Sequence, residues 1–127
     1  YFKEIDDTVF LLRSLIQLGT LQRLNKESGK SIKTLNQALG IAKKINHDIF
    51  IKRITIELSV CDIKKSQHLL EEYIKESNDL NTKAYINFNI YQYTDNKDAK
   101  SSAQKDYETL YKQSKKFEYH YYLNKLK

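Results

Sequence analysis

The residues in this sequence best suited to chemistry are a short glycine-containing segment, one cysteine and three histidines. The segment 27–31, with the sequence ESGKS, ends like a phosphate-binding loop. That loop needs a first glycine five residues before the second, so that the backbone can wrap the phosphates. Leu24 stands there instead, within a helical pattern, and no strand precedes it. We therefore interpret the segment as a helix cap.

The histidines and the cysteine do not form a catalytic or metal-binding pattern. His47, His68 and His120 are far apart and lack the spacing of metal ligands. Cys61 would need a base and an orienting partner to act as a nucleophile. His68 is seven residues further along the chain, but Asp62 and a predicted helix break lie between the two. We therefore predict no enzyme, no metal and no cofactor.

Two pairs of adjacent carboxylates, Asp6-Asp7 and Glu71-Glu72, lie on predicted helices. Adjacent side chains on a helix point about 100° apart, so neither pair implies a shared acid/base site. We interpret these residues as helix caps or solvated faces.

The composition indicates a folded helical domain. Of 127 residues, 40% are apolar and 30% are charged, and no run of about 18 apolar residues predicts a membrane span. There is no Pro and there are only three Gly, which favours helices joined by polar links. A single cysteine favours a reducing compartment, and hence the cytoplasm. The chain begins with Tyr1 and contains no Met, from which we expect a fragment of a longer protein.

The net charge of +6 would attract acidic partners, including nucleic acid. The charge is spread along the chain, although residues 97–127 hold eight Lys against four acidic residues. We interpret most of it as solvated helix faces.

The apolar spacing predicts six or seven helices. The first, from Asp7 to Leu24, has two apolar rows, which predicts that neighbours cover it on two sides. The second, from Ser28 to Ile45, has a single stripe, so one of its faces should meet water. The remaining helical segments are Ile49–Val60, Asp62–Ser77, Leu80–Tyr93, one running from about Ala99 to Ser114, and Phe117–Leu126.

Two of these segments alternate polar and apolar residues as strands do, namely 52–60 and 86–90. Read alone, they would give a small α/β ligand-binding domain, which we keep as the alternative fold.

The spacing of small residues in the first two helices resembles a tetratricopeptide repeat. Leu15, the pair Leu18-Gly19, Ser31 and Ala38 stand at that family's spacing. Small residues at such places let the two helices of a hairpin touch. A second unit would place Ser66 at the small position, and a third would place Ala103 there. Gln22 and the absent closing proline depart from the family pattern.

This resemblance implies an all-α stack of antiparallel helical hairpins in a right-handed superhelix. We predict one domain over residues 1–127, with units 7–46, 48–78 and 80–116 and an end helix 117–126. The region from Tyr91 to Tyr119 is similar to the closing repeat of such arrays in multidomain signalling proteins. The implied function is non-catalytic binding of a peptide or protein segment in a concave groove.

Candidate groove residues follow from the resemblance. On the first helix they are Arg13, Ile16, Gln17, Thr20 and Arg23, and the two arginines would clamp an acidic peptide. Eight of the ten tyrosines lie at or beyond residue 85, and most should fill the core. The candidate groove residues of the last unit are Tyr85, Phe88 and Gln92, because aromatic rings with polar tips are favoured binding anchors.

The sequence leaves two further hypotheses open. The basic faces and tyrosines would also suit a helical domain that binds nucleic acid. The second hypothesis is self-association through Tyr119, Tyr121 and Tyr122. The sequence does not determine the oligomeric state.

Overall fold

The computed structural model describes residues 2–127, with side chains for all of these except residues 2, 3 and 5. This part of the chain contains seven α-helices and no strand. The predicted all-α fold is therefore confirmed. The helices are α1 (Phe2–Leu24), α2 (Ser28–Lys44), α3 (Asp48–Cys61), α4 (Ile63–Glu76), α5 (Leu80–Thr94), α6 (Lys97–Ser114) and α7 (Phe117–Leu126).

The two alternating segments are helical, so the α/β alternative is wrong. Residues 52–60 lie within α3, and residues 86–90 lie within α5. In α3 both Ile54 and Ile56 are buried, although residues two apart on a helix point about 200° apart. A helix buried on more than one face has no single apolar stripe, and this is why its sequence resembled a strand.

The helices form two compact units, residues 1–62 and 63–127. The boundary separates α3 from α4, which the repeat pattern places in one hairpin. No helix in the described chain has both the length and the apolar character required to cross a bilayer.

In the first unit, α1 and α2 form an antiparallel hairpin and α3 packs against both. The core is built around the fully buried Leu12, Leu35 and Ile54. Gly19 and Ser31 lie where α1 meets α2. The Ser31 hydroxyl donates to the Gly19 carbonyl oxygen there, at 2.6 Å. Two of the predicted small residues are therefore at the helix crossing, and Ala38 is buried in the same core.

The links of the first unit share one hydrogen-bond pattern. After α1, the amide of Glu27 donates to the Gln22 carbonyl and that of Lys26 to the Arg23 carbonyl, at 2.8 and 2.9 Å. After α2, the amides of residues 47 and 46 donate to the carbonyls of residues 42 and 43 in the same way. This is the Schellman arrangement, which satisfies the last carbonyls of a helix. It requires a positive φ, found here at Lys26 (64°) and Asn46 (53°).

In the second unit, α5 pairs with α6, while α4 contacts α5 and α7 contacts α6. Its core contains Ala84, Ala103, Tyr107, Tyr119 and Leu126. Side-chain caps begin two of these helices. The Asp79 carboxylate accepts from the Asn81 amide at 3.2 Å, and the Asn96 side chain accepts from the Ala99 amide at 3.0 Å.

Candidate functional site

Only one of the two apolar rows of α1 is buried. Leu12, Ile16 and Gly19 face α2 and α3 and belong to the buried side of the helix. The other row was expected to be covered by a second neighbour. In that row only Leu15 is half-buried against the same core, whereas Leu11, Leu18 and Leu21 are exposed, because α2 and α3 both lie on the side of Leu12.

The uncovered side carries five large apolar residues, which we call the α1 outer face. Phe10 and Leu21 are eleven residues apart, close to three full turns, so they lie along one line of the helix. Leu18 flanks this line on one side and Leu24 on the other. The exposed fractions are 73% for Phe10, 46% for Leu11, 46% for Leu18, 59% for Leu21 and 58% for Leu24.

The α1 outer face is long enough to dock a helix. At a rise of about 1.5 Å per residue, Phe10 to Leu24 spans about 21 Å. Arg13 is exposed at the border of the stripe, whereas the exposed Ser14 and Gln17 lie within it. The Ser14 hydroxyl donates to the Phe10 carbonyl oxygen at 3.0 Å, so this polar group is satisfied within the helix. The face is therefore an apolar stripe that Ser14 and Gln17 interrupt near its middle, with Arg13 at its border.

The candidate groove residues of α1 do not form one surface. Arg13 and Gln17 are exposed, whereas Ile16 and Arg23 are buried and Thr20 is half-buried. A Glu57 carboxylate oxygen on α3 accepts from Thr20 at 3.2 Å and lies 3.5 Å from the Arg23 guanidinium. A buried guanidinium beside a buried carboxylate is positioned for packing α3 on α1, rather than for clamping an incoming peptide.

The candidate groove residues of the second unit are partly covered by α7. The Tyr122 ring lies edge-on to Phe88, with ring centroids 4.8 Å apart, and edge-on to Tyr85 at 6.1 Å. It also stacks on Tyr107 at 4.8 Å. Gln92 is exposed. The aromatic positions predicted to hold a ligand thus contact the chain's own last helix.

Segment 27–31, His47 and His120, which were candidates for chemistry, make local contacts close to them in the chain. Glu27 is the N-cap residue of α2 but makes no side-chain cap bond, residues 28–31 form the first turn of α2, and Lys30 forms an exposed ion pair with Glu27 at 2.7 Å. His47 caps α3 by accepting from the Phe50 amide, and the His120 ring lies 3.2 Å from the Asn124 side chain. Among the described residues, no group of three or more His, Cys, Asp or Glu is placed to hold a metal.

Cys61 is half-buried next to the hairpin crossing. Its sulfur lies 3.3 Å from the Ser31 hydroxyl. Burial raises the pKa of the Cys61 thiol above its ordinary value, while the Ser31 hydrogen bond and the Arg23 charge oppose that rise. A nucleophilic cysteine needs a lowered pKa, so this environment favours an inert thiol.

A cleft of about 280 Å³ between α4, α5 and α6 is lined mainly by polar side chains. Glu71 accepts from Gln67 at 3.1 Å, and Asn96 caps α6. Two of its polar groups are therefore used within their own helices. The lining residues are Glu71, Asn87, Ile90, Asn96, Asp98, Ala99 and Ser102.

Comparison with known proteins found no matching family model, no matching curated protein and no matching solved structure.

Proposed function

We propose that this chain is a non-catalytic protein-interaction module whose α1 outer face binds a helical segment of a protein partner. The observation that carries the proposal is the row of exposed apolar residues, Phe10 to Leu24, opposite the buried side of the same helix. Contiguous apolar surface of this kind marks interaction sites, whereas single exposed apolar residues do not.

The geometry suits a helix laid along α1. Anchors on a docking helix recur every three or four residues, and Leu18, Leu21 and Leu24 have that spacing on α1. Fully burying a leucine side chain contributes about 1.5–3 kcal/mol, and part of this is offset by the freedom lost on association. Arg13 lies at the border of the stripe, so an acidic residue on the partner would find a guanidinium there.

The tetratricopeptide interpretation of the α1–α2 hairpin is part of the same proposal. Its support is the close contact of Gly19 with α2 and the hydrogen bond from Ser31. A scaffold of such hairpins acts by presenting surface, and a lone half-buried thiol is consistent with a reducing compartment such as the cytoplasm.

The test is affinity capture from a cell extract with three forms of the chain. The wild type is compared with Phe10→Gln/Leu21→Gln, which removes the central line of the α1 outer face. Ile49→Gln is the matched control, since Ile49 is an exposed apolar residue at the start of α3, outside that face.

We expect proteins that bind the wild type and the Ile49 variant but are at least tenfold depleted on the double variant. Equal circular dichroism spectra would show that all three forms are folded. If the three forms retain the same proteins, the α1 outer face plays no part in binding a protein from the extract.

A further inference from the structure

We infer that the α1 outer face binds α1 of a second copy of this chain, with the two helices antiparallel about a twofold axis. The inference deepens the proposed function and rests on it, because it names the partner of the same face. The tyrosines of α7 are a weaker basis for self-association, since Tyr119 and Tyr122 are packed into the second unit and only Tyr121 is exposed.

The order of side chains along the face is self-complementary in the antiparallel sense. If the twofold axis passes between Ser14 and Gln17, Phe10 lies opposite Leu21 of the partner subunit, and the reverse contact is identical. A large ring then meets a leucine at both ends. The small Ser14 near the centre lets the two backbones approach to the usual spacing of about 8–10 Å.

The charges of α1 also favour the antiparallel arrangement. Exposed acidic residues lie near its start (Glu4, Asp6 and Asp7), and the exposed Lys26 follows its end. Antiparallel packing brings the acidic end of each helix beside Lys26 of the partner subunit, where the neighbouring Glu27 is neutralised by its ion pair with Lys30, whereas parallel packing would place like charges together. Helix dipoles are favourably opposed in the same arrangement.

Bulk repulsion is small at this face despite the overall charge of +6. Residues 2–24 contain three acidic residues and three basic ones, so α1 has no net charge. The electrostatic repulsion between two cationic chains therefore comes from charges outside the contact. Salt screens this repulsion.

The area available is that of a weak dimer. Five large side chains, each about half exposed or more, offer roughly 400–500 Å² per copy. The total, close to 1,000 Å², is at the lower limit for specific interfaces. We therefore expect a dissociation constant on the order of 10 µM rather than an obligate dimer.

Sedimentation of the purified chain across a wide concentration range tests the association. We expect the apparent mass to rise from 15.1 kDa toward twice that value. Leu18→Lys/Leu21→Lys should stay monomeric throughout, and Ile49→Lys should behave as the wild type. A wild type that remains monomeric at several hundred micromolar overturns the inference, and so does an association unaffected by the Leu18/Leu21 change.

Crosslinking tests the orientation. In a Cys61→Ser background, Ser14→Cys and Leu24→Cys are each treated with a short bismaleimide. Along the helix axis, the two copies of residue 14 would be about 5 Å apart and those of residue 24 about 25 Å apart. We expect rapid crosslinking only at residue 14. Crosslinks at both positions would indicate a parallel pair, and crosslinks at neither or only at residue 24 would also overturn the inference.

The two proposals fail separately. If the purified chain is monomeric but other proteins are captured through Phe10 and Leu21, the proposed function stands and the self-association does not. If the chain is monomeric and capture is unaffected by the double variant, both are wrong.

Discussion

At the residue scale, the contact between Gly19 and Leu35 sets how closely α1 and α2 approach. A methyl group added at Gly19 would lie 2.7 Å from both Cγ and Cδ2 of Leu35, which is fully buried. Overpacking of this kind costs about 1–3 kcal/mol, more than the gain of about 1 kcal/mol from replacing a helical glycine with alanine. We expect Gly19→Ala to lower the free energy of unfolding by up to about 2 kcal/mol, measured by urea denaturation.

Gly40 provides the matched control. It lies in α2, is exposed, and has nothing within 4 Å of the position that a methyl group would occupy. Gly40→Ala should therefore raise the free energy of unfolding by about 0.5–1 kcal/mol. Similar changes at the two glycines would mean that the hairpin crossing is not tight at Gly19.

Removing the hydroxyl group of Tyr107 should stabilise the protein. Its side chain is fully buried, and its hydroxyl has no hydrogen-bond partner within the described chain. A buried polar group without a partner costs about 1–3 kcal/mol. We expect Tyr107→Phe to raise the free energy of unfolding by about 1 kcal/mol at pH 7, as measured by urea denaturation.

The same variant has a pH signature. Burial, with smaller contributions from Tyr122 and Tyr85, raises the pKa of Tyr107 well above its ordinary value. The unfolded chain therefore releases this proton first, at pH values above about 10, and the wild type loses stability there. The stability advantage of Tyr107→Phe should widen between pH 9 and pH 11. A constant difference across that range would contradict the assigned burial.

The small residues were predictable one by one, and the buried ion pair was not. Gly19, Ser31 and Ala38 were predicted from local spacing, because a helix crossing imposes a size limit on nearby positions. Arg23 was assigned to an exposed groove, whereas it is buried with Glu57, 34 residues further along the chain. No local pattern encodes a partner at that separation, since it depends on where α3 packs.

Among the elements of the second unit, α7 is joined to α5 and α6 by ring contacts of Tyr122. Tyr122 stacks on Tyr107 and contacts Phe88 and Tyr85 edge-on, whereas its neighbour Tyr121 is exposed. We expect Tyr122→Ala to cost about 2–4 kcal/mol in the free energy of unfolding. Urea denaturation followed by far-ultraviolet circular dichroism measures the loss.

Tyr121→Ala is the matched control on the same helix and should cost less than about 1 kcal/mol. Equal losses from the two variants would mean that Tyr122 does not anchor α7. Its contact with Phe88 and Tyr85 explains why those residues looked like binding anchors in the sequence. Aromatic residues that bind a partner and aromatic residues that pack within the chain are of the same types, so the sequence does not distinguish them.

The helices were easier to predict than the links between them. Six of the seven both start and end within about two residues of the predicted positions, whereas α1 ends as predicted but begins at Phe2 rather than at Asp7. The links contain no glycine, and Lys26, Asn46, Asp95 and Lys115 adopt the positive φ instead. A lysine in that conformation gives no sequence signal, because only its carbonyl and amide partners in the folded chain stabilise it.

At the scale of the whole molecule, the charge distribution gives little support to nucleic-acid binding. Residues 1–62 hold ten basic and seven acidic residues, and residues 63–127 hold twelve and nine, so the excess is the same in both units. Several lysines also cover the chain's own tyrosine rings. Lys97 and Lys100 lie 5.7 and 5.3 Å from the ring centre of Tyr91, and Lys115 lies 5.1 Å from that of Tyr111.

This arrangement predicts weak, salt-sensitive binding of single-stranded RNA. Bases stack on uncovered aromatic faces, and a lysine resting on a ring occupies that surface. We expect the dissociation constant for a fluorescent 20-nucleotide RNA at 200 mM salt to be weaker than roughly 10 µM, the range of non-specific binding. Fluorescence anisotropy at 50 and 200 mM salt measures it.

Tyr91→Leu separates the two modes of binding. If RNA contacts only the solvated charges, the variant and the wild type should bind equally, and both should weaken steeply as salt rises, because counterion release supplies the free energy. Submicromolar binding at 200 mM salt that is lost in Tyr91→Leu would mean that a base displaces Lys97 and Lys100 from the ring. That result would favour nucleic acid over protein as the partner of the second unit.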